Sequence, residues 1–428
     1  PRKNMIFRRR GRTLLFLLLT AAPAVQAGPW AEWPILPGPD DQQHPDLHGT
    51  VAVWHEFVSQ FGDYDVYVVD FNDIENPLVT VIGDANDQMH PAVYGHRVVW
   101  QDLIVWGDSS DWDIHMADLS RFDEPIGYIV SDIPANDEQR PAIYGNTVVW
   151  QDTSGGDYNI FGADVTDPER PSEFVVAAFE GDQQRPSIWR TTVVWEDSYF
   201  GDNDIVAADI LMRDRPAEFA VVLLEGDQQN AVVHADTVVW EDDFYGDWDI
   251  FGARLSDQNQ VTELVIASVE GDQRHPDVEG HLVVWQDNRN GQWDIYGHNL
   301  VTRRTFRITD DPGDQIHPVI SGSTVLWQDN RRGPWNIYAA LLDGPDVAGC
   351  ASPPAGDVNG DCRVDFADVA ILAGTWLQSH FSEVPISGPA PAEAAPQDSG
   401  GRLDKTMDRP MRSNPENRNR GATRPFAG

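Results

Sequence analysis

The sequence predicts an all-β protein, a seven-bladed β-propeller, and three observations support that prediction. Variants of one unit with the core Val-Val-Trp-Gln/Glu-Asp recur seven times, with the tryptophan at positions 54, 100, 150, 195, 240, 285 and 327. The spacing of 42 to 50 residues is typical of propeller blades or solenoid turns. Each unit contains four short β-like runs separated by turn residues, and the repeat region shows no sustained helical period. Four antiparallel strands make one blade.

The two ends of the repeat region predict that the blades close into a ring. The seventh unit has three strand-like runs, Val319 to Ser321, Thr324 to Gln328 and Trp335 to Leu342, and then breaks at Gly344 and Pro345. We expect the missing fourth strand over Trp33 to Leu36. This segment precedes the first Asp-Gln pair in the same way that the fourth strand of one blade precedes the Asp-Gln pair of the next. Pairing this strand with the last blade removes an exposed sheet edge.

Composition divides the chain into four parts. Residues 1–27 have a basic start, an apolar run from Leu14 to Val25 and a small-residue triplet, which predicts a secretory signal peptide. The apolar run is shorter than the roughly 20 residues that span a bilayer. We expect the propeller over residues 28–345, a small calcium-binding loop-helix module over 346–380 and a disordered tail over 381–428. The protein is then secreted, to the periplasm, the cell surface or the medium, without a membrane span.

Charge narrows the classes of partner. The formal net charge is −39 at pH 7, which repels nucleic acid and anionic lipid and favours cations or neutral ligands. The other explanation is that the acidity serves solubility or suits a saline habitat. We expect a monomer.

Residues that every blade repeats are expected to be structural. Trp150 and its equivalents should pack between neighbouring sheets, and Asp152 and its equivalents should accept backbone N–H groups in the next turn. Function is expected where the copies differ. The position that precedes the repeat proline differs among the blades and enters the innermost strand, so it should ring the channel mouth: His44, His90, Arg140, Arg185, Asn230, His275 and His317.

The four histidines of this ring fall on neighbouring blades, so they should form one arc. Grouped neutral imidazoles are candidate ligands for a transition metal, and Gln88, Gln273 and Gln315 are candidate further ligands. The alternative is ordinary hydrogen bonding to the loops that cross between blades.

Aromatic residues beside carboxylates occur in the loops between the second and third strands, and these loops should lie on the face of the ring. Such aromatic faces suit sugar rings, although they also cover sheet ends. The residues are Trp106, Tyr199, Phe200, Phe244 and Tyr245.

The full repeat pattern, D-Q-x-H-P-x-I-x-G-x-x-V-V-W-Q-D-x-R-x-G-x-W-D-I-Y, resembles TolB-like propellers and the propeller repeats of archaeal and bacterial surface proteins over residues 30–342. The histidines and glutamines are also distantly similar to those of propeller oligogalacturonate lyases. That resemblance implies a metal at the channel mouth that acidifies the proton next to a uronate carboxyl group, with Arg140 or Arg185 binding the carboxylate.

A second module follows the propeller. Oxygen ligands at the spacing of a calcium loop come from Asp357, Asn359, Asp361, the carbonyl of Arg363, Asp365 and Asp368, and an amphipathic segment follows. The stretch resembles one repeat of a type I dockerin, which also has Asp at loop position 12. Cys362 stands where Gly is usual and no second repeat follows, so we do not expect cohesin binding. Cys350 and Cys362, with eleven residues between them, are expected to form a disulfide.

These observations predict a secreted recognition scaffold that binds a polysaccharide or a surface protein, with the dockerin-like module attaching or spacing it. The first alternative is a metal-dependent lyase or hydrolase acting on a uronate-containing polymer, and the second is a periplasmic partner protein of the TolB kind. No unique Lys, Tyr or His in a loop suggests a catalytic base, so binding is favoured over catalysis.

Overall fold

The structure is a computed structural model that describes residues 30–347 except 108, 256–260 and 345. These residues form 28 β-strands and no helix, so none of their elements is a helix long and apolar enough to cross a membrane. The predicted signal peptide, the calcium loop with its two cysteines and the tail lie outside the described residues. They remain predictions.

The strands form seven four-stranded antiparallel sheets, which confirms the all-β prediction. Sheets one to three consist of β2 Gln42–His48, β3 Val51–Val58, β4 Asp63–Asp70, β5 Leu78–Ile82; β6 Gln88–Tyr94, β7 Arg97–Trp106, β8 Ser109–Asp118, β9 Ile126–Ser131; β10 Glu138–Tyr144, β11 Thr147–Asp152, β12 Asn159–Asp164 and β13 Ser172–Ala177. Sheets four to seven consist of β14 Gln183–Trp189, β15 Thr192–Asp197, β16 Asp204–Asp209, β17 Ala217–Val222; β18 Gln228–His234, β19 Thr237–Asp242, β20 Asp249–Leu255, β21 Val261–Ala267; β22 Gln273–Glu279, β23 Leu282–Asp287, β24 Asp294–Asn299, β25 Arg304–Arg307; β26 Gln315–Ser321, β27 Thr324–Asp329, β28 Asn336–Leu341 and β1 Glu32–Pro34.

The first strand of each repeat is the innermost strand of its blade. These seven strands contact one another in ring order, and β2 of the first blade contacts β26 of the last. In each of them the third, fifth and seventh residues are half-buried while the fourth and sixth are buried. The half-buried set therefore lines the central channel, because alternate residues of a strand share one face. The seven-bladed propeller is confirmed.

The N-terminal strand closes the ring, as predicted. Strand β1 pairs antiparallel with β28 as the outer strand of the seventh blade, with Trp33 opposite Ala339. The strand spans Glu32–Pro34, and one further bond from the Ile35 N–H to the Ile337 carbonyl extends it. Beside it, the Arg331 guanidinium lies 2.7 Å from the buried Glu32 carboxylate. Hydrogen bonds and an ion pair thus join the two ends of the repeat region.

The structural interpretation of the repeated Trp and Asp residues is confirmed. All seven tryptophans are almost fully buried in the hydrophobic clusters between neighbouring sheets. In four blades the indole N–H donates to the Asp two residues later, as Trp285 does to Asp287 at 3.0 Å. The other carboxylate oxygen of that Asp accepts a loop N–H, such as that of Arg289 at 3.0 Å. The repeat core therefore fixes both the sheet packing and the following loop.

The Asp-Gln pair that begins each repeat links one blade to the next. Each Asp accepts the N–H group at the start of the third strand of the preceding blade, at 2.9 to 3.3 Å. The Gln side chain is buried and bonds to its own loop: Gln273 donates to the Gly271 carbonyl at 2.7 Å and accepts the Val269 N–H at 3.3 Å. Gln88, Gln273 and Gln315 are therefore turned away from the channel mouth, and they do not extend the histidine arc.

Blade three departs from this pattern because Glu138 replaces the glutamine. One carboxyl oxygen accepts the Ile133 N–H at 3.0 Å, the bond that Gln makes elsewhere, but in its ionised form Glu138 would have no donor for the loop. The second oxygen of Glu138 and one of Asp152 therefore have no hydrogen-bond partner among the described residues. Burial, together with the negative charges of Asp113 and Asp152, raises the pKa of Glu138 to about 9.

We expect Glu138→Gln to stabilise the propeller at high pH. Because the folded pKa of Glu138 is above its unfolded value, the carboxyl keeps its proton when folded and loses it on unfolding between about pH 4.5 and 9. Stability is therefore lost as pH rises through that window, and the glutamine variant avoids the loss. Urea unfolding should show a gain of roughly 5 kcal/mol at pH 8, because each pH unit above 4.5 removes about 1.4 kcal/mol, and the gain should disappear near pH 4.

The matched control is Gln183→Glu, which introduces the same carboxylate in blade four and should destabilise the protein at pH 8. Equal stability of the Glu138→Gln protein and the unmodified protein at pH 8 would show that the carboxylate is not penalised by burial.

Candidate functional site

Seven residues at the start of the innermost strands form what we call the mouth ring: His44, His90, Arg140, Arg185, Asn230, His275 and His317. Each has a positive φ of 49 to 52°, and each stands at a register shift where two residues of the first strand oppose one of the second. These shifts are β-bulges, which redirect a side chain at the rim of a sheet. All seven side chains are half-buried.

The mouth ring has non-glycine residues at positions where glycine would adopt the same backbone conformation at a lower cost in free energy. A positive φ costs non-glycine residues roughly 1 kcal/mol or more, and the chain does place glycine at other left-handed turn positions, such as Gly145 and Gly291. At the mouth ring all seven copies retain His, Arg or Asn. Seven such outliers at one rim make the mouth ring the candidate functional site.

The backbone of the mouth ring connects the blades. Each mouth-ring N–H donates to the side chain that follows the repeat tryptophan in the preceding blade, at distances of 2.6 to 3.3 Å. We call these acceptors the bridging residues: His55, Gln101, Gln151, Glu196, Glu241, Gln286 and Gln328. Because the backbone makes the link between blades, the mouth-ring side chains are available for other contacts.

The four histidines of the mouth ring come together in one cluster. His44 contacts His90 and His317, with ring centroids 4.7 and 4.9 Å apart, and His275 lies 4.1 Å from His317. A fifth imidazole, which the sequence analysis did not identify, belongs to the bridging residue His55. It stacks on His44 at 5.1 Å and is fully buried.

His55 could have been found from the repeat alignment. It is the one bridging position without Gln or Glu. Its Nδ1 accepts the His90 N–H at 3.3 Å, so the proton of the neutral ring is on Nε2. That Nε2 is buried without a hydrogen-bond partner in the described part of the chain.

Burial keeps these imidazoles neutral. It lowers the pKa of His44 and His90 to about 2, and the neighbouring histidines and Arg140 add to the effect. Burial likewise lowers the pKa of His55, His275 and His317 to about 3. Neutral imidazole both donates and accepts a hydrogen bond, so the cluster offers both kinds of group to a ligand.

The arrangement of the cluster bears on the transition-metal hypothesis. Within residues 30–347, apart from the undescribed positions, no three His, Cys, Asp or Glu side chains are placed so that they could hold a metal ion. The histidine rings contact one another at tilted or stacked angles.

The other arc of the mouth ring is a hydrogen-bonded network of paired charges. Arg185 donates to Glu196 at 3.1 Å and to the Asn230 amide oxygen at 3.3 Å. The Asn230 amide donates to Glu241 at 2.7 Å, and Arg274 donates to the second oxygen of Glu241 at 2.9 Å. Two arginines and two glutamates thus offset one another, so this network adds no net charge to the mouth.

Arg140 stands between the network and the histidine cluster, and it differs from both. Its N–H donates to the bridging residue Gln101 at 3.1 Å, which fixes its backbone. Its guanidinium makes no hydrogen bond or ion pair with the described part of the chain. Burial and the nearby Arg185 lower its pKa, although an arginine remains charged at neutral pH. Arg140 is therefore the cation of this mouth that lacks a paired anion.

Loops between the second and third strands surround the mouth ring. The aromatic side chains that the sequence indicated are exposed at this end: Trp106 at the end of β7 in blade two, Tyr199 and Phe200 in the loop of blade four, and Phe244 and Tyr245 in the loop of blade five, each 39 to 55% exposed. Blade three has only a small loop there, with Gly155 and Gly156. The approach to Arg140 is thus flanked by aromatic loops on the blades to either side.

Comparisons with known proteins show the fold and no family. No protein-family model matches the chain, and no curated protein matches its sequence. Among solved structures, the chain is similar to an oligogalacturonate lyase from Vibrio parahaemolyticus, at a TM-score of 0.52 and 11% identity over 74% of this chain and 95% of that one.

Two further matches have other functions. A puromycin-hydrolyzing peptidase from Mycobacterium tuberculosis matches at a TM-score of 0.52 and 14% identity over 75% of this chain, which spans 56% of the peptidase. TolB from Acinetobacter baumannii matches at a TM-score of 0.42 and 11% identity, over 60% of this chain and 62% of TolB. At identities this low, the oligogalacturonate lyase and the peptidase, each with a TM-score of 0.52, show the fold alone.

We expect His317→Asn to flatten the acid dependence of stability. The folded pKa of His317, about 3, is below the unfolded value near 6.5, so only the unfolded chain takes up this proton between those limits. The histidine's contribution is complete above pH 6.5 and is lost as the pH falls. Asparagine cannot titrate, and Asn230 already occupies the same left-handed position in blade five.

Urea unfolding at pH 8, 6 and 5 measures this effect. Below pH 6 the slope of the unfolding free energy against pH should be smaller in the variant by up to roughly 1.4 kcal/mol per pH unit. The difference in unfolding free energy between the two proteins at pH 8, where the histidine is neutral both folded and unfolded, gives the stability cost of the substitution itself. Parallel curves for the two proteins from pH 8 to 5 would contradict a neutral, buried His317.

Proposed function

We propose that the protein is an exported binding protein that recognises an acidic polysaccharide at the channel mouth, with Arg140 as the contact for a carboxylate. The observation that carries the proposal is the unpaired Arg140 guanidinium in a half-buried ring where the other described cations are paired. A guanidinium in such a site binds carboxylate through two parallel hydrogen bonds.

The rest of the mouth suits the remaining groups of a sugar. Neutral imidazoles of His44 and His90 supply donors and acceptors for hydroxyl groups without adding charge. The exposed aromatic side chains on the neighbouring loops offer flat apolar faces with polar tips, as binding sites for saccharides require. A uronate polymer combines carboxylate, hydroxyl and apolar ring faces, so each part of the mouth has a counterpart in it.

Catalysis is the second candidate, because five imidazoles lie in mutual contact and the oligogalacturonate lyase shares the fold. A lyase of this kind would need a metal or a base to remove the proton beside the uronate carboxyl group. The described residues contain no group of three His, Cys, Asp or Glu side chains placed to hold a metal ion, and the histidines pack against one another. Binding therefore accounts for more of the observed geometry than catalysis does. No surface among the described residues specifically favours the alternative of a TolB-like partner protein.

Arg140→Gln tests the proposal. Oligogalacturonate should bind the unmodified protein, and the variant should bind it at least tenfold more weakly, because a charge-assisted hydrogen bond contributes about 1.5–3 kcal/mol. Isothermal titration calorimetry measures both affinities. The matched control is Arg254→Gln, an arginine at the end of a third strand whose partner is Asp236.

The outcomes separate the hypotheses. Equal binding of oligogalacturonate by the Arg140→Gln protein, or no binding by the unmodified protein, would overturn the assignment of Arg140 as the carboxylate contact. Unsaturated product that forms with the unmodified protein only after addition of manganese would favour the lyase instead.

The proposal also includes the dockerin-like module as a calcium-stabilised attachment, on the basis of the ligand spacing from Asp357 to Asp368. We expect the full chain to bind calcium, and the double variant Asp357→Ala, Asp361→Ala to lose one calcium ion per chain, since both residues supply carboxylate ligands in the loop. Calorimetric titration of chelator-treated protein counts the ions. A calcium stoichiometry that is the same in the variant and in the unmodified protein would show that calcium does not bind in this loop.

A further inference from the structure

The opposite end of the channel carries a second ring of residues with different chemistry. Each innermost strand ends there, four residues after its mouth-ring position, or about 13 Å along the strand. Five of the seven end residues are aromatic: His48, Tyr94, Tyr144, Trp189 and His234, from blades one to five in order. We call them the aromatic collar. Glu279 and Ser321 complete the ring in blades six and seven.

The collar is continuous. Ring centroids of consecutive members are 4.4, 4.6, 5.8 and 5.5 Å apart, from His48 through to His234. Interplanar angles between 45 and 58° tilt each ring against the next. All five side chains are half-buried on the channel side of their strands. They therefore line the opening, and Tyr94, Tyr144 and Trp189 also pack on one side against the hydrophobic clusters between the sheets.

Polar groups in the collar are held in fixed orientations. The Nδ1 atoms of His48 and His234 accept the N–H groups of Gly95 and Gly280, at 3.1 and 3.0 Å. Each ring therefore carries its proton on Nε2. The Nε2 of His234 lies 3.3 Å from the Glu279 carboxylate. The Tyr94 and Tyr144 hydroxyl groups hydrogen-bond to each other, which fixes both on the channel side of their strands.

Charge distinguishes this opening from the mouth ring. Burial lowers the pKa of His234 to about 4 and raises that of Glu279 to about 7. Arg190 is the nearby cation, and its guanidinium lies 4.4 Å above the Trp189 ring, where it already has an aromatic partner. Arg190 has no ion pair with a described carboxylate, and Glu279 places an acidic group at the same opening, so a charged ligand of either sign meets a group of its own sign there.

We infer that the aromatic collar is a second binding site, specific for a neutral pyranose ring of a glycan. The C–H faces of such a ring pack on tilted aromatic side chains, while its hydroxyl groups bond to tyrosine, imidazole and carboxyl groups. This inference goes beyond the proposed function, since it concerns the other opening of the channel and does not depend on Arg140.

An array of neutral and acidic oligosaccharides, probed with the full chain and its variants, tests the inference. The unmodified protein should bind at least one neutral glycan, Trp189→Ala should bind it at least tenfold more weakly, and Trp189→Phe should retain most of the affinity because it keeps an aromatic face. Leu211→Ala, which removes an exposed apolar side chain that belongs to neither ring, is the control and should not alter binding of neutral glycans.

The two sites can fail separately. Neutral glycan binding should survive Arg140→Gln, and acidic glycan binding should survive Trp189→Ala, which also shows that this variant is folded. Absence of neutral glycan binding by the unmodified protein would overturn the collar site whatever happens at Arg140. So would equal binding by Trp189→Ala, or displacement of the neutral glycan by tetramethylammonium alone, which would indicate a cation site.

Discussion

The propeller depends on one repeated bond between blades, the mouth-ring N–H donated to the bridging side chain of the blade before. The left-handed backbone at the bulge turns this N–H out of its own sheet, where a buried and unpaired donor would cost about 1–3 kcal/mol. The neighbouring blade supplies the acceptor, from Gln328 to His44 around to Gln286 and His317. Closure of the ring therefore satisfies all seven donors at once, and an open chain of blades would not.

This bond explains why the mouth ring varies while the rest of the repeat does not. Backbone geometry alone maintains the connection, so the side chain at the same position is free to be His, Arg or Asn. At the bridging position the reverse holds, because there the side chain must be an acceptor. Gln, Glu and the Nδ1 of His55 all meet that requirement, which is why a histidine could enter the ring without breaking it.

The repeat made most of the fold predictable, because a motif copied seven times defines strand number, order and closure together. Ring order also predicted that His44, His90, His275 and His317 would be neighbours. The bulge was not predictable from the sequence. The proline that follows most mouth-ring residues indicates where a strand begins, but it does not indicate that the residue before it has a left-handed backbone conformation. Gln88 and its equivalents were expected near the mouth, yet their amides bond to loop carbonyls beneath it. The collar was missed because its residues precede a turn and share no single residue type.

The neutral state of the imidazoles bears on anion binding at the mouth, because the chain has a net charge of −39. Screening at physiological salt limits the effect of distant carboxylates to about 8 Å, so an anion at the mouth responds mainly to its immediate neighbours. Those neighbours are Arg140, uncharged histidines and a network whose charges offset one another. Cationic histidines would attract an anion more strongly but would repel each other at ring separations near 4 to 5 Å. Burial removes that repulsion, and it leaves Arg140 as the charge that would select the ligand in the proposed function.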